Sequence, residues 1–504
     1  MNNLIFIKMT QQPFFKNICI FLVLLSITFT DLYAQEKTKI LTLNEAIEIA
    51  KRQSPDALNA MHRYRSSYWQ YRNFKAELKP SLTLDAVLPS INKGIEKGYE
   101  DEYINLNNSS YSGGLSLSKN IGLTGGVLAL KTQILRFDNY RIDSSYYVTS
   151  PIVNIEFTQP LFGYNPYRWS RKIEPIKYNE AERRYIEELE QVSINTTNAF
   201  FRLLDAQIRL KIQKINLANN DTLFQIARGR YNIGTIAENE LLQIELSLLN
   251  SRSAVKEANL EVEMRTFDLI SYLRIPENEV LELISPEAPP VEDVNSDLAI
   301  GQARLNRSDA LSFDRRLLEA ESSVNKARIE NRFNATLFAE YGLNQRAHYF
   351  DDVYRNPSEV QNLQVGIRVP ILDWGLGKGR LKLAESNMEI ERTSVEQDIK
   401  DFNQEVFIKV MQFNMQPSQY AIAAKSDTVA LKRYEVTKQR YLIGKIGITD
   451  LNIAQTEKDN AQQGYIAALS TFWRSYFELR KLTLYDFEAG RTITFNFNDI
   501  PDVE

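Results

Sequence analysis

The chain has 504 residues, room for several ordinary domains, and its 64 acidic and 60 basic residues leave a net charge of −4. That balance, with no long basic block, argues against nucleic acid as the main partner. One cysteine, Cys19, and two histidines, His62 and His348, offer no thiolate metal site, no disulfide and no clustered ligand or triad pattern.

The N-terminus is the first informative segment. Lys8 and Lys16 precede the apolar run Ile18–Phe29, and Ala34 before Gln35 offers a small-residue cleavage point, so residues 1–34 are expected to be a secretory signal. The apolar run is about 12 residues, too short for a helix to cross about 30 Å of hydrocarbon. A retained anchor is the alternative. Lys16-Asn17-Ile18 before Cys19 does not resemble a lipoprotein signal. Beyond it no window of 18 consecutive apolar residues remains, so the mature chain is either soluble or enters a membrane as β-strands.

The rest of the chain is one half written twice. "AIEIAKRQSPDAL" (Ala46–Leu58) recurs as "AIGQARLNRSDAL" (Ala299–Leu311), an offset of 309 − 56 = 253. "RYNIG" (Arg230–Gly234) recurs as "RYLIG" (Arg440–Gly444), an offset of 441 − 231 = 210, shared by Leu241 with Leu451, Glu240 with Asp450 and Pro160 with Pro370. A first repeat over 35–290 and a second over 291–490, with a tail at 491–504, each read helix–strand–strand–helix–helix. The difference, 253 − 210 = 43 residues, falls between Leu84 and Pro160.

The strand regions, about 81–160 and about 335–370, contain four segments with period two. Leu82, Leu84, Ala86 and Leu88 alternate with Asp85; Val153, Ile155 and Phe157 with Glu156. Leu337, Ala339, Tyr341 and Leu343 alternate with Glu340; Leu363, Val365, Ile367 and Val369 with Arg368. A soluble antiparallel sheet alternates in the same way. Alternatively the apolar face meets lipid, and Asp85, Glu156, Glu340 and Arg368 face a water-filled lumen. Four strands cannot close a barrel, and open edges are not tolerated in hydrocarbon, so several chains would then share one wall. Within the inserted residues "SLSKNIGLTGGVLAL" reads as a hairpin turning at Thr124–Gly126, either in an external loop or in the wall.

The helical hairpins are expected over about 167–275 and about 375–484. Tyr185, Leu189, Val192, Thr196, Ala199, Leu203, Ala206 and Leu210 step by four and three, a heptad seam, and further apolar residues beside it imply more than one helical partner. Gly234 and Gly444 are placed to end long helices in the left-handed conformation, making Arg230–Gly234 and Arg440–Gly444 the tips of two equivalent hairpins. Pro417 is expected to bend or break the helix leading to the second tip. "GLGKGR" (Gly375–Arg380) fits no nucleotide-binding pattern and reads as a turn from strand to helix. Phe472, Trp473, Tyr476 and Phe477 read as core. No catalytic constellation is present, so no enzyme and no cofactor are expected.

Several segments carry a family resemblance: "LNEAIEIAKRQSPDAL" near the start, "FTQPLF" (Phe157–Phe162), "VPILDWGLGKGR" (Val369–Arg380), both R-Y-x-I-G-x-I tips, and "YIAALSTFWRSYFELRKLTLYDF" near the end. In this order the chain resembles the TolC family of outer-membrane ducts, in its Bacteroidetes branch. The resemblance implies an α+β membrane protein: a homotrimer with a twelve-stranded transmembrane β-barrel and a coiled-coil tunnel of helices in the periplasm. It implies an exit duct for passive export in a tripartite efflux or type I secretion system, seated in the outer membrane of a Gram-negative bacterium. Its partners would be a periplasmic adaptor (membrane fusion) protein and an inner-membrane pump of RND or ABC type. Arg230, Tyr231, Gly234, Arg440, Tyr441 and Gly444 would lie at tips that meet the adaptor, and Asp450, matched by Glu240, would form an acidic gate. Where the family often has a second acidic residue one turn further on, this chain has Ile453. Glu240 and Asp450 also suit a helix N-terminus, whose positive dipole end favours a carboxylate by about 0.3–1 kcal/mol. A stand-alone porin and a soluble periplasmic coiled-coil scaffold are the competing readings.

Overall fold

The computed structural model describes residues 37–97, 102–141, 144–276, 279–291 and 293–500. The expected signal peptide lies outside them. Along the chain run β1 (Lys37–Leu41), α1 (Leu43–Gln53), α2 (Pro55–Glu77), β2 (Ser81–Lys97), β3 (Tyr103–Ile121), β4 (Gly126–Asn139) and β5 (Ser144–Pro160). Then come α3 (Pro166–Asn232), α4 (Glu238–Leu273), β6 (Glu279–Leu283), α5 (Ser296–Asn306), α6 (Ser308–Glu330), β7 (Asn334–Ala347) and β8 (Ser358–Arg368). The last elements are α7 (Leu376–Asn414), α8 (Gln416–Leu442), α9 (Ile448–Thr483), β9 (Tyr485–Asp486) and β10 (Arg491–Thr492). No helix among the described residues is long and apolar enough to cross a membrane.

Element boundaries repeat the sequence offsets. α1 and α2 recur as α5 and α6, with starts at 296 − 43 = 253 and 308 − 55 = 253. α3 starts 376 − 166 = 210 residues before α7 and ends 442 − 232 = 210 before α8, and α4 recurs as α9 at 448 − 238 = 210. Between α7 and α8 only Met415 intervenes, and Pro417 is the second residue of α8. A helix start has no intrahelical acceptor for its first N–H groups, so proline is tolerated there and the break falls just before it.

Two compact units emerge. One comprises the chain up to Ser54 with residues 195–288 and 423–470. In it β1 pairs in parallel with β6, from Lys37 with Glu279 to Leu41 with Leu283. Alternation did not mark these short strands, because their neighbours complete them. The Gln207 side chain donates to the Leu281 carbonyl at 2.8 Å and accepts from the Leu283 N–H at 3.3 Å, satisfying a strand edge that five residues leave open. Thr42 and Glu45 form a reciprocal capping box at the start of α1.

The other unit comprises residues 55–194, 289–422 and 471–504. Its main feature is an antiparallel sheet in the order β2–β3–β4–β5–β7–β8. Alternation marked four of these strands; β3 and β4 make six. The hairpin whose place the sequence left open pairs on both sides, β3 with β2 and β4 with β5. Register puts Leu82, Leu117, Leu130, Ile155 and Tyr341 in one transverse row, and all five are exposed. The opposite face carries the row Ser81, Ser118, Ala129, Glu156, Glu340 and Asn362. Gly342 belongs to that face, and a Cβ there would lie 2.7 Å from the Val153 carbonyl oxygen, so the close strand approach requires glycine.

Helices of this unit are joined by ion pairs rather than apolar contact alone. Arg316 on α6 reaches Glu391 at 2.5 Å and Asp398 at 2.6 Å on α7. The buried carboxylate of Glu190 lies 3.0 Å from Arg480, which also meets Asp486 at 2.6 Å. Along α3, which contributes residues to both units, the heptad seam is mostly covered: Tyr185, Leu189, Val192, Thr196, Leu203 and Ala206 are buried, whereas Ala199 and Leu210 are half-buried. Of the apolar residues beside it, Phe200 and Leu204 are buried and Ile186 and Ile208 half-buried, whereas Ile215 is exposed.

Candidate functional site

Two places collect the residues that the sequence singles out, one in each unit. The first is the pair of hairpin tips. Gly234 and Gly444 hold φ of 74° and 72°, a conformation that a Cβ disfavours. The Thr235 N–H returns to the Arg230 carbonyl at 2.9 Å and the Lys445 N–H to the Arg440 carbonyl at 2.9 Å, so both helices end with the same six-to-one closure. The helix stop is therefore closed in the same way in the two copies.

Side chains break that equivalence. Tyr441 is 2 % exposed and joins a cluster with Leu223, Ala227, Ile244, Tyr434, Ile448 and Leu451, whereas Tyr231 is 40 % exposed. Arg230 donates to the Leu442 carbonyl at 2.5 Å, with its guanidinium 6.0 Å from the Tyr441 ring. Arg230 of the first tip and Tyr441 of the second thus each reach the opposite hairpin, one by a hydrogen bond and the other by apolar packing. Burial pushes the Tyr441 hydroxyl pKa up, Glu240 pushes the same way, and Arg230 opposes both. Arg440 is exposed. Ile233 and Ile443, at the turns themselves, are 74 % and 65 % exposed.

Glu240 and Asp450 are each the third residue of their helices, α4 and α9. α4 is preceded by Ala237 with no side-chain cap, and neither carboxylate accepts a hydrogen bond among the described residues. Glu240 is half-buried and Asp450 exposed, followed one turn on by exposed Ile453. Deeper in the same unit, sequence reading missed a polar network. Asn216 donates to Asp459 at 2.7 Å, Lys458 lies 4.6 Å from the Tyr434 ring, and Lys438 donates to Asn219 at 2.8 Å. Single Asn and Lys residues scattered along polar helices give no sequence signal for such a network.

The second place is the polar face of the sheet. Glu156 and Glu340 are brought side by side there, while Asp85 and Arg368 share the face but stand apart, opposite Gly114 and Asn334. Lys131, on the inserted strand β4, meets Glu156 at 2.6 Å, and Asn154 donates to Glu340 at 2.6 Å. Lys131 went unnoticed because alternation did not settle where its hairpin lies.

The glycine-rich turn before α7 supplies its own anion. The Asp373 carboxylate accepts from the Gly375 N–H at 3.0 Å and the Gly377 N–H at 2.8 Å, and these bonds hold its pKa below the usual carboxylate value. The donors that a phosphate would need are therefore already engaged.

The family described as outer membrane efflux protein matches residues 131–273 and 299–483. No curated protein matches the sequence. Among solved structures, the chain is similar to the Campylobacter jejuni CmeC outer membrane channel, with a TM-score of 0.62, 19 % identity, and coverage of 88 % of this chain and 85 % of that one. It is similar to the outer membrane protein VceC from Vibrio cholerae, with a TM-score of 0.59, 16 % identity, and coverage of 88 % and 95 %. It is also similar to the open state of the Neisseria gonorrhoeae MtrE outer membrane channel, with a TM-score of 0.60, 16 % identity, and coverage of 88 % and 88 %. At these identities the likeness concerns the fold.

Proposed function

The chain belongs to the outer membrane efflux protein family, whose members are exit ducts of the outer membrane, and from that premise we propose that three copies assemble to make one duct, gated at the hairpin tips. The observation that carries the reading is the sheet. Leu82, Leu117, Leu130, Ile155 and Leu363 form an exposed apolar face, and the edge strands β2 and β8 have no partner on their outer sides within the described chain. Neither feature suits a sheet in water, since exposed apolar area of this kind marks an interaction surface and an open edge invites pairing. Lipid answers the first and neighbouring copies the second.

Residues of the helical hairpins line the periplasmic tunnel in this reading. Asp450 and Glu240 carry negative charge at its constricted end, with Ile453 in place of a second acidic ring. Exposed Ile233 and Ile443 beside Tyr231 and Gly444 offer the apolar contact that a periplasmic adaptor protein would cover, and a pump of the inner membrane supplies the energy. Arg230, by holding Leu442, keeps the two tips of one chain together.

Planar-bilayer recording tests the gate. Asp450→Ala should raise conductance or relieve block by divalent cations, because three like charges on an axis bind cations. Unchanged traces, with the variant still trimeric in the outer-membrane fraction, would leave Asp450 with only its favourable position at a helix start.

A further inference from the structure

The repeat accounts for four strands per chain: β2 is matched by β7 and β5 by β8, whereas β3 and β4 have no counterpart in the second copy. A hairpin added to a channel wall can leave it as an external flap or become part of it. The two fates demand different side chains. A flap in water needs no apolar row in register with the wall, whereas a stave needs one residue in two to be apolar on the lipid side and the alternate residues to suit the lumen.

Over the end of the hairpin nearest its turn β3 and β4 meet the second demand, with Lys119, paired with Leu128, the one charge on the apolar side there. Leu115 and Leu117 on β3 and Leu128 and Leu130 on β4 are exposed on the apolar side. Leu117 is paired with Leu82 and with Leu130, and Leu130 with Ile155, so the apolar row runs through the insertion without interruption. On the other face Ser116 and Lys131 are paired with each other, and Lys131 is tied to Glu156 of β5 at 2.6 Å. Beyond this band β3 turns polar, with Asn105, Asn107 and Asn108, as a strand does on leaving hydrocarbon.

We propose that β3 and β4 are staves of the membrane wall, so that each copy supplies six strands and three copies close a barrel of eighteen. The inference rests on the multi-copy outer-membrane reading of the proposed function. Barrel diameter grows roughly linearly with strand number. With strands about 4.8 Å apart and tilted about 40°, twelve make a ring about 24 Å across between backbones and eighteen about 36 Å. Barrels of 16–18 strands keep an aqueous channel. The outer mouth of this duct therefore admits bulkier hydrated cargo than a wall of twelve strands would, past a lining that includes Lys131, Glu156 and Glu340.

Spin labels on single cysteines in the full-length protein, with Cys19→Ser, test this in reconstituted bilayers. Leu117→Cys and Leu130→Cys probe the inserted strands; Ile155→Cys and Leu363→Cys probe strands that the repeat supplies. The expected result is that all four labels collide more with oxygen dissolved in lipid than with a water-soluble nickel chelate. Lipid exposure at Ile155 and Leu363 with aqueous exposure at Leu117 and Leu130 would make the hairpin an external flap and overturn the proposal alone. Aqueous exposure at all four would overturn the membrane reading and the proposal with it. Polyethylene glycols added from the barrel side give an independent measure: a size cut-off no wider than a twelve-stranded mouth would also overturn the eighteen-stranded wall.

Discussion

Glu156 and Glu340 occupy one register position on neighbouring strands, and the Asn154 amide donates to both, at 3.3 Å and 2.6 Å. Two carboxylates directly opposite would repel; the amide and the Lys131 ammonium, 2.6 Å from Glu156, offset that repulsion. Lys131 is 41 % exposed in its side chain, so the pair contributes at most about 1 kcal/mol to stability. Its effect on ions is a separate matter, since removing one positive charge per copy leaves the paired carboxylates uncompensated. Lys131→Gln should fold normally and shift the reversal potential in a salt gradient towards cation selectivity, and Glu340→Gln should shift it the other way. Equal reversal potentials in both variants would remove this face from the ion path.

Arg230 and Arg440 hold the same place in the two copies of the motif but not the same partners. Arg230 donates to the Leu442 carbonyl at 2.5 Å, whereas Arg440 is exposed. A hydrogen bond from a charged donor contributes about 1.5–3 kcal/mol. Arg230→Ala should therefore raise the population of separated tips by roughly ten-fold to a hundred-fold, seen as more frequent openings in bilayer recordings. Arg440→Ala should leave the traces close to wild type. Equal effects of the two substitutions would mean that the asymmetry has no part in gating.

Much of this arrangement is legible in the sequence, and the reasons differ by element. Duplication fixes the order of helices and strands, because offsets of 210 and 253 survive in element boundaries such as α4 and α9. Gly234 and Gly444 are legible because a left-handed residue at a helix end favours one residue type. The six-stranded count is not, since β3 is rich in Ser, Asn and Gly through much of its length and its alternation is confined to one end. The difference between Tyr231 and Tyr441 is not legible either: the local sequence is nearly the same, and only the packing of α4 and α9 decides which ring is covered. β1 and β6 are invisible because each is five residues long and gains its partner from more than two hundred residues away.

The C-terminal tail is not a loose end up to Ile500. Phe497 lies 4.7 Å from the ring of Tyr64 and Phe495 5.0 Å from that of Tyr185, while Ile500 is buried. Tyr64 is itself 2 % exposed and shares a hydrogen bond of 2.9 Å with the Tyr178 hydroxyl. Phe497→Ala removes one wall of this cluster and should cost about 1.5–3 kcal/mol, with Phe497→Leu costing less. Thermal unfolding in detergent measures both. A melting temperature unchanged by Phe497→Ala would show that the tail contributes no packing energy.

Glu187 gives the fold a pH dependence of defined sign. Its carboxylate is 9 % exposed and accepts from the Ser308 N–H at 2.7 Å and from the Ser308 hydroxyl at 3.0 Å, at the start of α6. Burial pushes its pKa above 4.5; the Ser308 bonds and the Arg307 charge pull it down, and Asp309 pushes it up, with burial prevailing. An acid whose folded-state pKa is raised penalises the folded state when ionised. The penalty is full above the folded-state pKa and disappears as pH falls through that value towards 4.5, where the unfolded chain also takes up its proton. Wild type should therefore gain stability relative to Glu187→Gln as the pH is lowered from neutrality towards about 5. The quantity to measure is the difference in melting temperature between the two proteins across that range, because other groups titrate equally in both. A difference that stays flat would mean that the Ser308 hydrogen bonds balance burial at this site, and one that grows with rising pH that they outweigh it.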